Sequence, residues 1–149
     1  MAVATFSRFL LATGQILSAF TCEETLAPDQ LLAGQDYIDD EYDPAVWYVV
    51  ETSGVWHKQA RPASSAAYSG NATLANDGAD TGTITPIGAT AVVTITAKTL
   101  AGEEFSLTTF DPWGADDTLE FTSTIEGDYT VKIVDFPDLD TEFVIPVRA

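Results

Sequence analysis

From Tyr68 to the C-terminus the sequence runs in short alternating stretches broken by turn residues. AVVTITAK sets Val93 and Ile95 against Thr94 and Thr96. TLEFTSTI sets Leu119 and Phe121 against Glu120 and Thr122, and EGDYTVKIVDF sets Tyr129, Val131 and Ile133 against Thr130, Lys132 and Val134. A period of two sends successive side chains to opposite faces, so each run can bury one side of a strand. YSGNATLA, TITPI, AGEEFSLTTF and TEFVIPV read the same way, the last with Phe143, Ile145 and Val147 on one face. NDGADTG (Asn76 to Gly82) and DPWGADD (Asp111 to Asp117) punctuate them as turn and loop. About seven strands in roughly 80 residues is the density of a β-sandwich of immunoglobulin type. In such sandwiches a tyrosine near the start of the penultimate strand ties the corner to the backbone, and Tyr129 after Gly127-Asp128 fits that place.

The first sixty residues are also β in character but thinner. ATGQ (Ala12 to Gln15) reads as a turn between two strands, with Gly14 supplying the tight bend. Val46 to Thr52 is rich in β-branched and aromatic residues, Ser53-Gly54 is a turn, and Val55 to Ala60 is the return strand. The best helix candidate is Ala27 to Gly34, with Pro28 near its start and Gly34 as its stop; it is no longer than about two turns. RPASSAA (Arg61 to Ala67) is small, polar and proline-containing, a linker composition. The expectation is therefore an all-β chain in two parts. Residues 1–62 form a small β-sheet module, 63–67 a linker, and 68–149 an Ig-like β-sandwich.

The charge balance restricts partners. There are 23 acidic and 6 basic residues, giving −17 at pH 7, and so negative a surface repels phosphate backbones; nucleic acid is not expected as a partner. The stretch from Met1 to Cys22, with Arg8 and then an apolar run, has a faint look of a secretory signal. Gly14-Gln15 interrupts it, and bulky Phe20 and Thr21 precede the cysteine, so two strands are the better reading. It is also far too short for membrane insertion.

Chemistry-bearing residues are sparse. One cysteine, Cys22, rules out an intrachain disulfide, and one histidine, His57, rules out two-histidine zinc sites. His57 sits in an alternating strand between Trp56 and Lys58 with no nucleophile elbow nearby, which suits a solvent or interface face and no catalytic role. Asp36, Asp39, Asp40, Glu41 and Asp43, or Asp111, Asp116 and Asp117, supply oxygens for calcium, but neither stretch follows the EF-hand spacing; solvated acidic loops are expected, without metal or cofactor. Asn71 to Thr73 matches a glycosylation sequon, relevant only in a secretory pathway. Trp47 and Trp56 flank the Ser53-Gly54 turn. They serve either as cross-strand packing or, if exposed, as part of an interface. Phe6, Phe9, Leu11 and Phe20 join them in a module that has more apolar side chains than one thin sheet hides on a single face, so these six are the expected interface.

Beyond these local readings, the order of pieces resembles small tail proteins of tailed bacteriophages. The matching pieces are Thr13-Gly14-Gln15-Ile16, Tyr48-Val49, Gly54 and Arg61-Pro62, followed by ANDGADTGTITPIG, EGDYTVKIVDFP and the final TEFVIPV. The stretch between Gly88 and Glu126 is longer than in the compact version, which leaves the strand count there open. The resemblance implies virion architecture and no enzymatic activity: a tail-tip or tail-fibre component that docks through its N-terminal module and displays an Ig-like domain. The implied partners are other virion proteins of the tail or baseplate, further copies of the chain (a trimer for preference), and the host cell surface. Two other readings stay open: a capsid decoration protein, and a secreted carbohydrate- or receptor-binding module in which Trp113 stacks on a sugar ring.

Overall fold

A computed structural model of the chain describes residues 2–109, 113–114 and 116–149. Its regular structure is all-β apart from one short 3-10 helix, and the chain divides into two compact units, Met1–Pro62 and Ala63–Ala149.

The first unit holds five strands: β1 (Val3–Leu10), β2 (Ile16–Glu23), β3 (Gln35–Asp39), β4 (Trp47–Thr52) and β5 (Val55–Ala60). β2, β1 and β3 form one antiparallel sheet in that order, with β1 central, and β4–β5 is a separate hairpin. A bulge at Arg8/Phe9 leaves Leu17 as the extra residue, since Arg8 pairs with Ser18 and Phe9 with Ile16. Ser53 and Gly54 both have positive φ (53° and 79°), the conformation that matches the natural twist of a two-residue hairpin.

Two contacts fix the hairpin to the sheet. Gly14 turns the chain with φ 78° and its carbonyl accepts the Val49 amide at 2.9 Å. A Cβ on Gly14 would collide with the Val49 carbonyl oxygen, so both the conformation and the close approach require glycine. On β1, the buried Ser7 hydroxyl donates to the Asp40 carbonyl (2.7 Å) and accepts the Tyr42 amide (2.9 Å). That pair steers the chain from β3 toward the hairpin. Phe9, Ile16 and Val49 are the buried centre beneath, ringed by Ile38, Tyr42, Trp47 and Trp56.

The helix lies earlier than the sequence suggested. It is the 3-10 segment Glu24–Gln30, with Pro28 inside and Ala27 buried. Gly34, read as a helix stop, instead has φ 80° in the turn into β3 and gives its carbonyl to the Leu11 amide (2.9 Å). β3 itself was hidden by its acids: in QDYID only Tyr37 and Ile38 are apolar.

The second unit holds β6 (Ala67–Ser69), β7 (Leu74–Ala75), β8 (Gly82–Ile87), β9 (Val92–Thr99), β10 (Glu104–Thr109), β11 (Asp117–Phe121), β12 (Gly127–Val134) and β13 (Thr141–Arg148). One sheet runs β10-β9-β12-β13-β7 and the other β11-β8-β6. β7 is parallel to β13 and the remaining pairs are antiparallel. Both sheets feed one core, in which Leu74, Ile84, Val93, Val131, Ile145 and Val147 are almost wholly buried. The alternating partners Tyr129, Val131 and Ile133 all point into it, as their spacing implied. YSGNATLA, read as one strand, is split into β6 and β7 around Gly70 (φ 139°). Ala66 already packs on the core and Ala67 opens β6, so the 63–67 linker is shorter than its composition indicated.

Corners of this unit are closed by side chains. The Tyr129 hydroxyl donates to the Ile125 carbonyl (2.9 Å) and lies 2.8 Å from Ser123 Oγ. Asp80 accepts the Ala75 amide (2.9 Å) and the Asn71 side-chain amide, so the sequon asparagine is held within the loop. Asp77 accepts the amides of Asp80 and Ala79, which hold its carboxyl below the usual range.

Two substitutions report on these joints. Gly14→Ala should destabilise the first unit by about 1–3 kcal/mol or more, the range for a non-glycine residue forced into such a conformation, before its clash with Val49 is counted. Tyr129→Phe should cost the second unit about 1–2 kcal/mol, because a half-buried corner loses the hydroxyl that bonds both the Ile125 carbonyl and Ser123 Oγ. Denaturant unfolding of each variant beside the wild type measures both.

Candidate docking surface

The six residues expected at an interface separate into three groups. Phe6 and Phe9 are 3% and 0% exposed, so neither is a surface residue; this corrects the sequence expectation. Phe6 lies between Phe20 and Tyr37, with ring centroids at 5.5 and 5.1 Å. Phe9 points to the opposite face and meets Trp56 at 5.0 Å. Trp47 and Trp56 are half-buried members of the Phe9–Ile16–Val49 core. They do not pair across the hairpin: Trp47 is opposite Ala60, and Trp56 opposite Glu51. The row between them is Val49 opposite Lys58. Lys58 Nζ sits 4.4 Å from the Trp47 ring centroid and 4.6 Å from that of Tyr42, covering both with a cation. Phe9, Trp47 and Trp56 are thus absorbed between sheet and hairpin, while Phe6, Phe20 and Tyr37 pack together on the sheet's other face.

What remains outside is smaller. Leu11 is 43% exposed, and Phe20 is half-buried at the β2 edge with the Arg8 guanidinium 4.8 Å from its ring. Two residues outside those six are more exposed: Val55 at 64% on the outer face of the hairpin, and Leu32 at 71%. Val55 was legible as outward-facing once the register was known, because it alternates with Trp56, which faces in.

Trp113 packs partly buried against the core of the second unit, and its indole Nε1 is buried without a partner among the described residues. A sugar-stacking tryptophan needs an open ring face, so this corrects the expectation of an exposed platform. Its neighbours Asp111 and Pro112, part of the same acidic loop, lie outside the described residues. Asp117 is occupied locally: its carboxylate accepts the amides of Thr118 and Gly114, which lower its pKa in that order. In the other acidic stretch, Asp36 and Asp43 likewise bind nearby amides, those of Tyr37 and Ala45. Among the described residues no three of His, Cys, Asp or Glu converge as a metal site. His57 is exposed, with Nε2 3.5 Å from Thr52 Oγ1, a distance too long for a strong hydrogen bond.

Two open clefts accompany these surfaces. One, of about 420 Å³, lies in the first unit where Tyr37, Asp39 and Tyr42 face Trp56, His57 and Lys58. The other, of about 580 Å³, lies on the second unit across β9, β10 and β12, lined by Thr96, Lys98, Glu104, Phe105, Ser106 and Asp128. Both are shallow and mixed in charge. No helix among the described residues is long and apolar enough to cross a membrane.

No protein-family model, no curated protein and no solved structure matches the chain.

Because Trp56 packs on Phe9, Trp56→Ala should destabilise the first unit by about 2–4 kcal/mol. Val55→Ser, one residue away but outward-facing, should stay within about 0.5 kcal/mol of wild type. Equal effects in thermal or denaturant unfolding would mean that the hairpin face is assigned the wrong way round.

Proposed function

We propose that the chain is a structural component of a bacteriophage virion, associated with the tail tip or tail fibre. Its N-terminal unit docks on a neighbouring virion protein, and its C-terminal unit is an Ig-like domain displayed on the particle. The observation that carries the Ig-like part is the path of the chain in the second unit. β6 pairs with β8 in the three-stranded sheet, and β7 then crosses to lie parallel to the terminal strand β13 in the other. Beside it, the Tyr129 hydroxyl reaches back four residues to the Ile125 carbonyl, the corner device of Ig-type sandwiches. Fold alone does not assign function. The virion assignment rests on the ordered resemblance of both halves, from Thr13-Gly14 through Arg61-Pro62 to the closing strand, to phage tail proteins.

The structure of the first unit suits docking by a preformed body. Its hairpin is fixed to the sheet through Gly14 and Ser7, so little ordering entropy would be lost on binding. Its outward residues Leu11, Leu32 and Val55 offer apolar contact without dismantling the core.

The test is where the protein is found. Particles purified from an infected culture and separated into heads and tails should carry this chain in the tail fraction by mass spectrometry. Presence in the head fraction alone would favour the decoration reading, and absence from particles would overturn the virion assignment.

A further inference from the structure

We propose that the free edge of β2 is a self-association site, pairing antiparallel with β2 of a second copy to make one six-stranded sheet about a two-fold axis. The inference concerns this edge alone and holds independently of where the chain resides.

β2 is the outer strand of its sheet, hydrogen-bonded to β1 on one side. Which of its groups face outward follows from the ladder. The Glu24 amide bonds the Ala2 carbonyl, so by alternation the inward-bonding residues are Cys22, Phe20 and Ser18. Ala19 and Thr21 therefore direct their amides and carbonyls away from β1, and both residues are exposed. An eight-residue edge of this kind is a template for another strand.

The opposite edge of the same sheet shows what protection looks like. The same alternation, counted from the Asp40 amide on the Thr5 carbonyl, turns the Tyr37 amide outward on β3. There Asp36 Oδ1 accepts it at 2.8 Å, and Asp39 adds a second acid. β2 has neither device: Ile16 to Cys22 carries no charged side chain and no proline, with Glu23 at its end.

Register points to a second copy as the occupant, and the lack of charge on this strand limits the electrostatic cost. Two chains of net charge −17 repel, and an uncharged strand is where they can approach most closely. Centring the pair on Phe20 sets Ala19 opposite Thr21 of the partner, giving four backbone hydrogen bonds about the axis. In this register each Glu23 faces a Leu17, which is 39% exposed, and the two acids stay apart. Phe20 then meets its own mate as a close, non-hydrogen-bonded pair. The row Tyr37–Phe6–Phe20, which ends half-buried at this edge, would continue through the second copy. Identical edges pair by a two-fold, so the product is a dimer and not the trimer suggested by the phage resemblance.

The test is mass by light scattering on the full chain at ~100 µM, with dilution to reverse association. Wild type should show twice the chain mass and dissociate on dilution. Ala19→Pro removes an outward amide without touching the β1 ladder, and Ala19→Glu adds a like charge at the axis. Each should weaken association at least about tenfold while circular dichroism stays unchanged. If the proline variant fails to fold, the glutamate variant decides. A monomeric wild type, a threefold mass, or a dimer unaffected by Ala19→Glu would each overturn the proposal.

Discussion

The first unit depends on the approach of Gly14 to Val49. One hydrogen bond joins the β1–β2 turn to the middle of the hairpin strand β4, and the backbone there leaves no room for a side chain. With the hairpin so placed, Val49 closes over Phe9 and Ile16, and Trp47 and Trp56 become walls of a core. Without it the unit would be a three-stranded sheet and a loose hairpin, and an isolated two-stranded hairpin is marginally stable at best. Ser7 reinforces the same placement from the other end. Its hydroxyl is fully buried yet satisfied twice by backbone, so it holds the 40–42 segment at no net cost in unpaired polar groups.

The second unit solves a related problem without a disulfide, since the one cysteine lies in the other unit. Its two sheets share a core of interlocking aliphatic side chains, and its loops are tied by buried or half-buried side chains acting on backbone: Tyr129 on Ile125, Asp80 on Ala75, Arg148 on the Gly127 carbonyl at 2.8 Å. Gly127 itself passes so near the Lys98 carbonyl that a Cβ there would lie 2.6 Å from it.

Alternation made the strands legible. β12 and β13 carry a clear period of two, and the Ser53-Gly54 turn fixes the β4–β5 register by its own conformation. The chain's all-β character follows from the same signal. What alternation does not say is what covers a face. Phe9 and Trp56 read as surplus apolar surface because the hairpin and sheet could each be counted, but their mutual packing could not be seen. The reverse held for β3, whose acids point along an edge and mask a strand. Trp113 shows the same limit: a tryptophan between proline and glycine looks exposed in a sequence, whereas here its ring leans on the core.

The most direct test of this account is amide hydrogen exchange of the full chain, followed residue by residue by NMR. The Val49 and Tyr42 amides, bonded to Gly14 and Ser7, should be protected to the same degree as the central β1 amides, because hairpin and sheet open together. Fast exchange at Val49 and Tyr42 beside a protected β1 would show that the hairpin opens independently, and would contradict the placement on which the rest of the unit depends.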